Sequence, residues 1–234
     1  MHKMKSRIIL QLILYITGVC LTLSSPNCQG ERDDIRETYK WLKGLDAVDL
    51  QEIPRPGDLL SLRSLNLSDR DIGDEDLVKL RVLQSLKYLY LSGCPVTDDG
   101  MRHIATLSSL KWLYLGQTKI TSRGLRYLKG LRNLEVLGLN DNAMDDRTPG
   151  YLLGLNRIEK LYLSGTRITD RGLSQLAKLG SLRKLYLSRK VTEAGLRVQR
   201  EAKGSYQYRE ESPGLSQKAI DSLRKAMPHC EIIY

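Results

Sequence analysis

LKYLYLSGCPVTDDGM (Leu86–Met101) and LKWLYLGQTKITSRGL (Leu110–Leu125) carry one pattern twice, and their spacing decides the fold. In each, leucines alternate with Tyr or Trp, and a Thr-x-x-Gly segment follows. Working outward, the opening residue recurs at Leu62, Leu86, Leu110, Leu134, Ile158 and Leu182, always 24 residues on. The other blocks read LRSLNLSDRDIGDEDL, LEVLGLNDNAMDDRTP, IEKLYLSGTRITDRGL and LRKLYLSRKVTEAGL. The repeat explains why 43 of 234 residues are leucine. It does not explain why phenylalanine is absent. A chain with 41% hydrophobic and 27% charged residues is neither disordered nor a polytopic membrane protein.

The pattern dictates local structure. Alternation places Leu89 and Leu91, Leu113 and Leu115, and Leu161 and Leu163 on one face of a short strand, with their neighbours on the other. The period then lengthens. Leu125, Leu128 and Leu131, or Leu173, Leu176 and Leu179, form the apolar stripe of a short helix. Thr97, Thr121, Thr169 and Thr192 stand where a helix cap belongs, and Asp98, Asp170 and Glu193 suit the positive helix end. One unit cannot bury its leucines alone. Stacked units make a continuous core beneath parallel strands.

The pattern LxxLxLsxTxITDxGLxxLxxLxx resembles the leucine-rich repeat family over about residues 45–234. Its T-D-x-G-L segment is similar to the bacterial and cysteine-containing subtypes. The resemblance implies a right-handed α/β solenoid, a horseshoe arc with short parallel strands on its concave face and short helices on its convex face. It also implies a binding module without chemistry of its own. The substrate arm of eukaryotic ubiquitin-ligase adaptors carries similar repeats, but no F-box-like segment accompanies them here.

The boundaries follow from the irregular stretches. Residues 1–30 read as an export signal: Lys3, Lys5 and Arg7, then an apolar run from Ile8 to Leu23, then Ser24-Ser-Pro-Asn27. The run of about 16 residues is shorter than the roughly 17–25 needed to span a bilayer. The alternative is an uncleaved anchor over residues 8–23, the chain's only expected link to a membrane. The expected location is the periplasm, the cell envelope or the exterior. Residues 31–61 form an N-terminal cap helix, with Ile35, Tyr39 and Leu42 on one stripe, and a degenerate first repeat at Leu45–Leu50. Pro54 and Pro56 then predict an extended return instead of a helix. Six repeats fill 62–196; in the fourth, Thr148 is the expected cap and Pro149 the first helical residue. Residues 197–234 hold a degenerate last repeat and a C-terminal cap. Tyr206-Gln-Tyr208 reads either as a seventh strand or as a loop, Ser216–Met227 as an amphipathic helix and Cys230-Glu-Ile232 as the closing strand.

Chemistry is not written into the motifs. No nucleophile elbow, Walker loop or HExxH occurs, so no catalytic residue and no cofactor is expected. His2, His103 and His229 are scattered and imply no metal. Cys94 takes the repeat position of Thr118, Asn142 and Thr166 and reads as structural. Five or more strand steps, roughly 25 Å, separate it from Cys230, too far for a disulfide.

The signal for function is on the strand side facing away from the leucines. One column reads Asn66, Tyr90, Tyr114, Gly138, Tyr162, Tyr186; the one before it reads Ser64, Tyr88, Trp112, Val136, Lys160, Lys184. A third carries Ser68, Ser92, Gly116, Asn140, Ser164 and Ser188. Tyr88, Tyr90, Trp112, Tyr114, Lys160, Tyr162, Lys184 and Tyr186 are therefore the candidate binding residues, with the four in the second and third repeats as the hot spot. The tyrosine row is expected to be interrupted at Gly138. The bland reading is that the rings only cover the sheet. A net charge of +10 favours acidic protein or peptide partners. Carbohydrate stacking or a purely architectural envelope role are the alternatives. Nucleic acid is disfavoured, since no known module is present.

Overall fold

Each leucine pair becomes a three-residue strand in the computed structural model, which describes residues 27–46, 55–188 and 215–234. The strands are β1 (Ser64–Asn66), β2 (Tyr88–Tyr90), β3 (Trp112–Tyr114), β4 (Val136–Gly138), β5 (Lys160–Tyr162), β6 (Lys184–Tyr186) and β7 (Glu231–Ile233). Among the described residues they form one parallel sheet in chain order. The register aligns Leu65, Leu89, Leu113, Leu137, Leu161, Leu185 and Ile232 in a single row, all buried. A second row just past the strands, from Leu67 to Leu187, lies against the same core. Burying each such leucine contributes about 1.5–3 kcal/mol, so the core is the dominant stabilising term and its repetition fixes the register.

The returns are short and varied. They comprise α2 (Asp74–Leu77) continuing as a 3₁₀ segment Val78–Val82, α3 (Met101–Ile104), a 3₁₀ segment Gly124–Gly130, α4 (Thr148–Leu152) and α5 (Asp170–Leu176). The third repeat is a 3₁₀ turn where a short helix is expected. Its Leu125, Leu128 and Leu131 are all buried, as are Leu173, Leu176 and Leu179 at the same spacing in the α-helical fifth repeat, so the leucine spacing buries the stripe without selecting the helix type. Pro56 corrects a second expectation. It begins a 3₁₀ helix, Pro56–Ser61, instead of enforcing an extended return. A proline fits the first helical turn, where its missing N–H has no partner to lose.

The ends are closed by longer helices. α1 (Asn27–Gly44) begins inside the segment assigned to the export signal. It presents Ile35, Tyr39 and Leu42 to the core, as their stripe predicts. Thr38 donates to the carbonyl of Lys79 at 3.0 Å, Arg81 pairs with Asp34, and Lys79 lies over the Trp41 ring. No described helix is long and apolar enough to cross a membrane. At the other end α6 (Gln217–Ala226) is capped by Ser216, whose hydroxyl accepts from the N–H of Ala219. It leads through Met227 into β7, which hydrogen-bonds directly to β6. Of the first strand expected at Leu45–Leu50, Leu45 and Asp46 instead form a turn at the end of α1, their N–H groups bonding back to the carbonyls of Trp41 and Lys43. Residues 47–50, Thr192, and the candidate strand Tyr206–Tyr208 lie outside the described residues.

The threonines and aspartates serve a purpose that capping alone does not predict. Asp74 accepts both the N–H and the hydroxyl of Thr97 in the next repeat, at 2.8 and 2.5 Å. Asp98 does the same for Thr121, Asp146 for Thr169 and Asp170 for Ser216. Among the described threonines only Thr169 directly caps a helix, as Ser216 does for α6; Thr97 and Thr121 stand three and two residues ahead of the cap positions, held by Gly100 and Arg123. The glycine of the motif closes under the carboxylate. A Cβ on Gly100, Gly124 or Gly172 would meet an aspartate oxygen at 2.4–2.5 Å. The fourth repeat inverts the polarity: Ser122 replaces the aspartate, Asp145 replaces the threonine, and Ser122 Oγ bonds both the N–H and a carboxylate oxygen of Asp145. Thr148 is thus the first residue of α4 with Pro149 second, and its buried hydroxyl pairs with Ser122 at 2.9 Å instead of capping.

Candidate functional site

Parallel register carries the side chains of the open face from strand to strand in straight rows. Tyr90 aligns with Tyr114, then Gly138, Tyr162, Tyr186 and finally Ile233. Tyr90 and Tyr114 stack with ring centroids 5.1 Å apart and planes 6° from parallel. Tyr162 and Tyr186 stack at 4.2 Å and 5°. The expected break at Gly138 does not occur. Tyr114 leans across Gly138 and meets Tyr162, two strands away, at 5.9 Å and 48°. A Cβ on Gly138 would stand 2.6 Å from the Tyr114 ring, so the glycine is what permits the lean. The row is continuous because a residue is missing from it.

Burial and hydroxyl bonding act on these rings. Burial raises the Tyr114 hydroxyl above the ordinary tyrosine value, against the opposing effect of its hydrogen bond with Tyr162. Tyr162 is pushed up well beyond that range, by burial first and then by its hydroxyl contacts with Tyr186 and Tyr114. Both groups therefore stay protonated at neutral pH, and their hydroxyls remain donors.

The neighbouring row runs Ser64, Tyr88, Trp112, Val136, Lys160, Lys184, Glu231. Tyr88 packs on Trp112 at 4.7 Å, tilted by 57°. The structure thus brings all eight candidate residues onto one surface, and every one is half-buried. Two features of that surface were not foreseen. Glu231 forms an ion pair with Lys184 at 2.7 Å, which holds the lysine's charge firmly on its amine and partly neutralises the face there. Ile233, 38% exposed, extends the tyrosine row to the last strand. The signal for both was the register of CEIIY (Cys230–Tyr234), legible only once β7 was known to sit beside β6. Lys111 is similarly matched by Glu135 at 2.6 Å.

The remaining candidates for chemistry are structural. Cys94 and Cys230 are free and buried, and burial raises both thiols. Cys94 Sγ donates to the carbonyl of Leu67 in the preceding repeat at 3.0 Å, as Asn142 does to Leu115, whereas Thr166 donates to Leu163 within its own repeat. Among the described residues no three His, Cys, Asp or Glu side chains are placed to hold a metal.

Equally spaced strand-and-return units sharing one core, with an open side-chain face, define a repeat solenoid of the α/β class. The chain is a leucine-rich repeat protein: leucine rich repeat family models match residues 59–80, 84–144 and 108–168. Among solved structures it is similar to a leucine-rich repeat protein of Leptospira interrogans, with 24% identity, 76% of this chain and 38% of that chain covered, and a TM-score of 0.52. That likeness shows the fold. The chain is also similar to an internalin of Listeria monocytogenes, at 20% identity over 76% of this chain and 49% of the other, TM-score 0.48. It is similar as well to a plant peptide hormone receptor, at 19% identity over 57% and 22%, TM-score 0.42. The chain spans less than half the length of each of these proteins. No curated protein matches it.

Proposed function

We propose that the chain is a non-catalytic binding module whose open strand face, the concave side of the solenoid, grips a protein or peptide. The observation that carries this reading is the unbroken row Tyr90–Tyr114–Tyr162–Tyr186. Stacked tyrosines combine large, fairly rigid contact area with a polar rim, the composition that dominates binding energy at interfaces. Their geometry also separates partners. In both near-parallel stacks the rings turn faces toward one another, so edges and hydroxyls are offered outward. Sugar stacking needs a ring face, whereas peptide groups need donors and acceptors. A protein or peptide is therefore favoured over carbohydrate, and both over a purely architectural role. The same reading places the module outside the cytoplasm through residues 1–30, which N-terminal sequencing of the mature protein would test.

Replacing Tyr90 and Tyr114 together by alanine is the decisive experiment. Binding to protein or peptide ligands should fall at least a hundredfold, about 2.7 kcal/mol for two hot-spot residues, with the fold retained by circular dichroism. Unchanged binding overturns the face assignment. Tyrosine-dependent binding to a glycan array, with no peptide bound, replaces the partner class by carbohydrate.

A further inference from the structure

A cavity opens on the helix side of the solenoid, away from the tyrosine row. It lies between α4 and α5, measures about 430 Å³, and is lined by Asp146, Arg147, Gly150, Tyr151, Arg171 and Gln175. Small-ligand pockets span roughly 300–1,000 Å³. The space is open at Gly150, which is exposed and whose Cβ, if it had one, would meet nothing within 4 Å.

The preceding repeat shows what this one lacks. Arg126 and Tyr127 stand 24 residues before Gly150 and Tyr151. There the Arg126 guanidinium lies over the Tyr127 ring, 4.7 Å from its centroid, and donates to the Tyr127 hydroxyl at 2.8 Å. Glycine at position 150 removes that cover. Among the described residues no ring or cation stacks on Tyr151. Its hydroxyl, the Arg171 guanidinium and the Gln175 side-chain amide likewise have no hydrogen-bond partner among those residues.

Charge decides the class of ligand. Arg147 is answered by Asp145, which is not part of the lining. The Asp146 carboxylate and the Arg171 guanidinium then leave the walls balanced. Asp146 Oδ2 accepts only the Thr169 hydroxyl, so it has room for another donor. A bare cation would meet Arg171, and a bare anion would meet Asp146. A neutral ring rich in hydroxyls suits both walls.

The structure assigns this cavity as a binding site for a neutral pyranose unit of a glycan, independent of the tyrosine face. The sugar takes the place beside Tyr151 that Arg126 holds at Tyr127, with its C–H groups against the aromatic ring. Its hydroxyls donate to Asp146 and accept from Arg171 and Gln175.

An array of neutral and acidic saccharides, probed with the full-length protein, tests the assignment. The expected outcome is retention on neutral pyranose glycans, with an affinity insensitive to salt because no net charge is neutralised. Gly150→Arg restores the residue of the preceding repeat, fills the cavity and should weaken binding by at least about tenfold. Tyr151→Ala should weaken it roughly tenfold, the loss of one aromatic anchor. The open space at Gly150 lets the first variant fold as the wild type does, which melting curves check. Tyr90→Ala/Tyr114→Ala should bind glycans unchanged. Retention of no glycan, preference for acidic saccharides, or full binding by Gly150→Arg or Tyr151→Ala each overturns the site. Glycan binding lost in Tyr90→Ala/Tyr114→Ala but kept in Gly150→Arg also overturns it, and moves the saccharide to the tyrosine row.

Discussion

Repeat four (Leu134–Arg157) and repeat five (Ile158–Ser181) bury the same leucine pair, Leu137 and Leu139 against Leu161 and Leu163, and differ almost everywhere else. Repeat five shows Lys160 and Tyr162 on the open face, receives Asp146 with Thr169 and turns back through seven α-helical residues. Repeat four shows Val136 and Gly138, receives Ser122 with Asp145 and turns back through five residues that include Pro149. The stack runs through both without a break. Burial therefore fixes one side chain type, while the polar turn and the open face require only that someone nearby complete the contact. In the turn, donor and acceptor exchange residues. On the face, Tyr114 from the preceding repeat covers the vacancy.

That contrast can be broken or sharpened by mutation. Leu137→Ala and Leu161→Ala should each cost about 3–5 kcal/mol in urea unfolding, equally in the two repeats; a twofold difference would show that the core is not uniform. Ser122→Asp sets a second carboxylate against Asp145 and should cost about 2 kcal/mol. Adding Asp145→Thr restores the polarity of the other junctions, and the double-mutant cycle should recover 1–2 kcal/mol, roughly the coupling of residues in contact. Additive losses would mean that the two residues do not form one exchangeable pair. Gly138→Ala forces Tyr114 aside and should cost about 1 kcal/mol while reducing near-ultraviolet tyrosine dichroism.

The smallest effect is electrostatic. Burial alone would raise the Asp145 carboxyl, but hydrogen bonds from Arg147 and Ser122 outweigh it and hold its pKa at about 2. A folded pKa below the unfolded value stabilises above about pH 4, and that contribution disappears as pH falls from 4 towards 2. Because Asp145 remains about a third exposed, the expected size after screening is of the order of 1 kcal/mol. The stability difference between wild type and Asp145→Asn, measured by urea titration at pH 7 and again at pH 2.5, should shrink accordingly.

Most of the fold was legible because burial leaves a period. Leucines at 24-residue spacing announced strands, register and core, and Ser216–Met227 and the closing strand followed from the same logic. The polar junctions were half legible. The Thr-Asp pairs were visible, but a capping role within one repeat satisfies the sequence as well as a bridge between repeats; only proximity distinguishes them. The Ser122 and Asp145 exchange was present as two complementary departures, one in the aspartate column and one in the threonine column. The candidate face was legible as rows but not as contacts. Nothing in the letters says that Tyr114 tilts across Gly138 or that Glu231 reaches Lys184, since both depend on side-chain direction and on which strand follows β6.

The junction of Asp170 with Ser216 has a consequence for how such chains change length. Elsewhere an aspartate meets the residue 23 positions ahead; here it meets one 46 ahead, with the same pair of bonds. The end piece is accepted because it offers a hydroxyl and an N–H at the docking point, whatever stretch of chain precedes it. A sequence built this way tolerates whole units gained or lost ahead of α6, because that helix docks through the same pair of bonds as the Asp–Thr junctions before it.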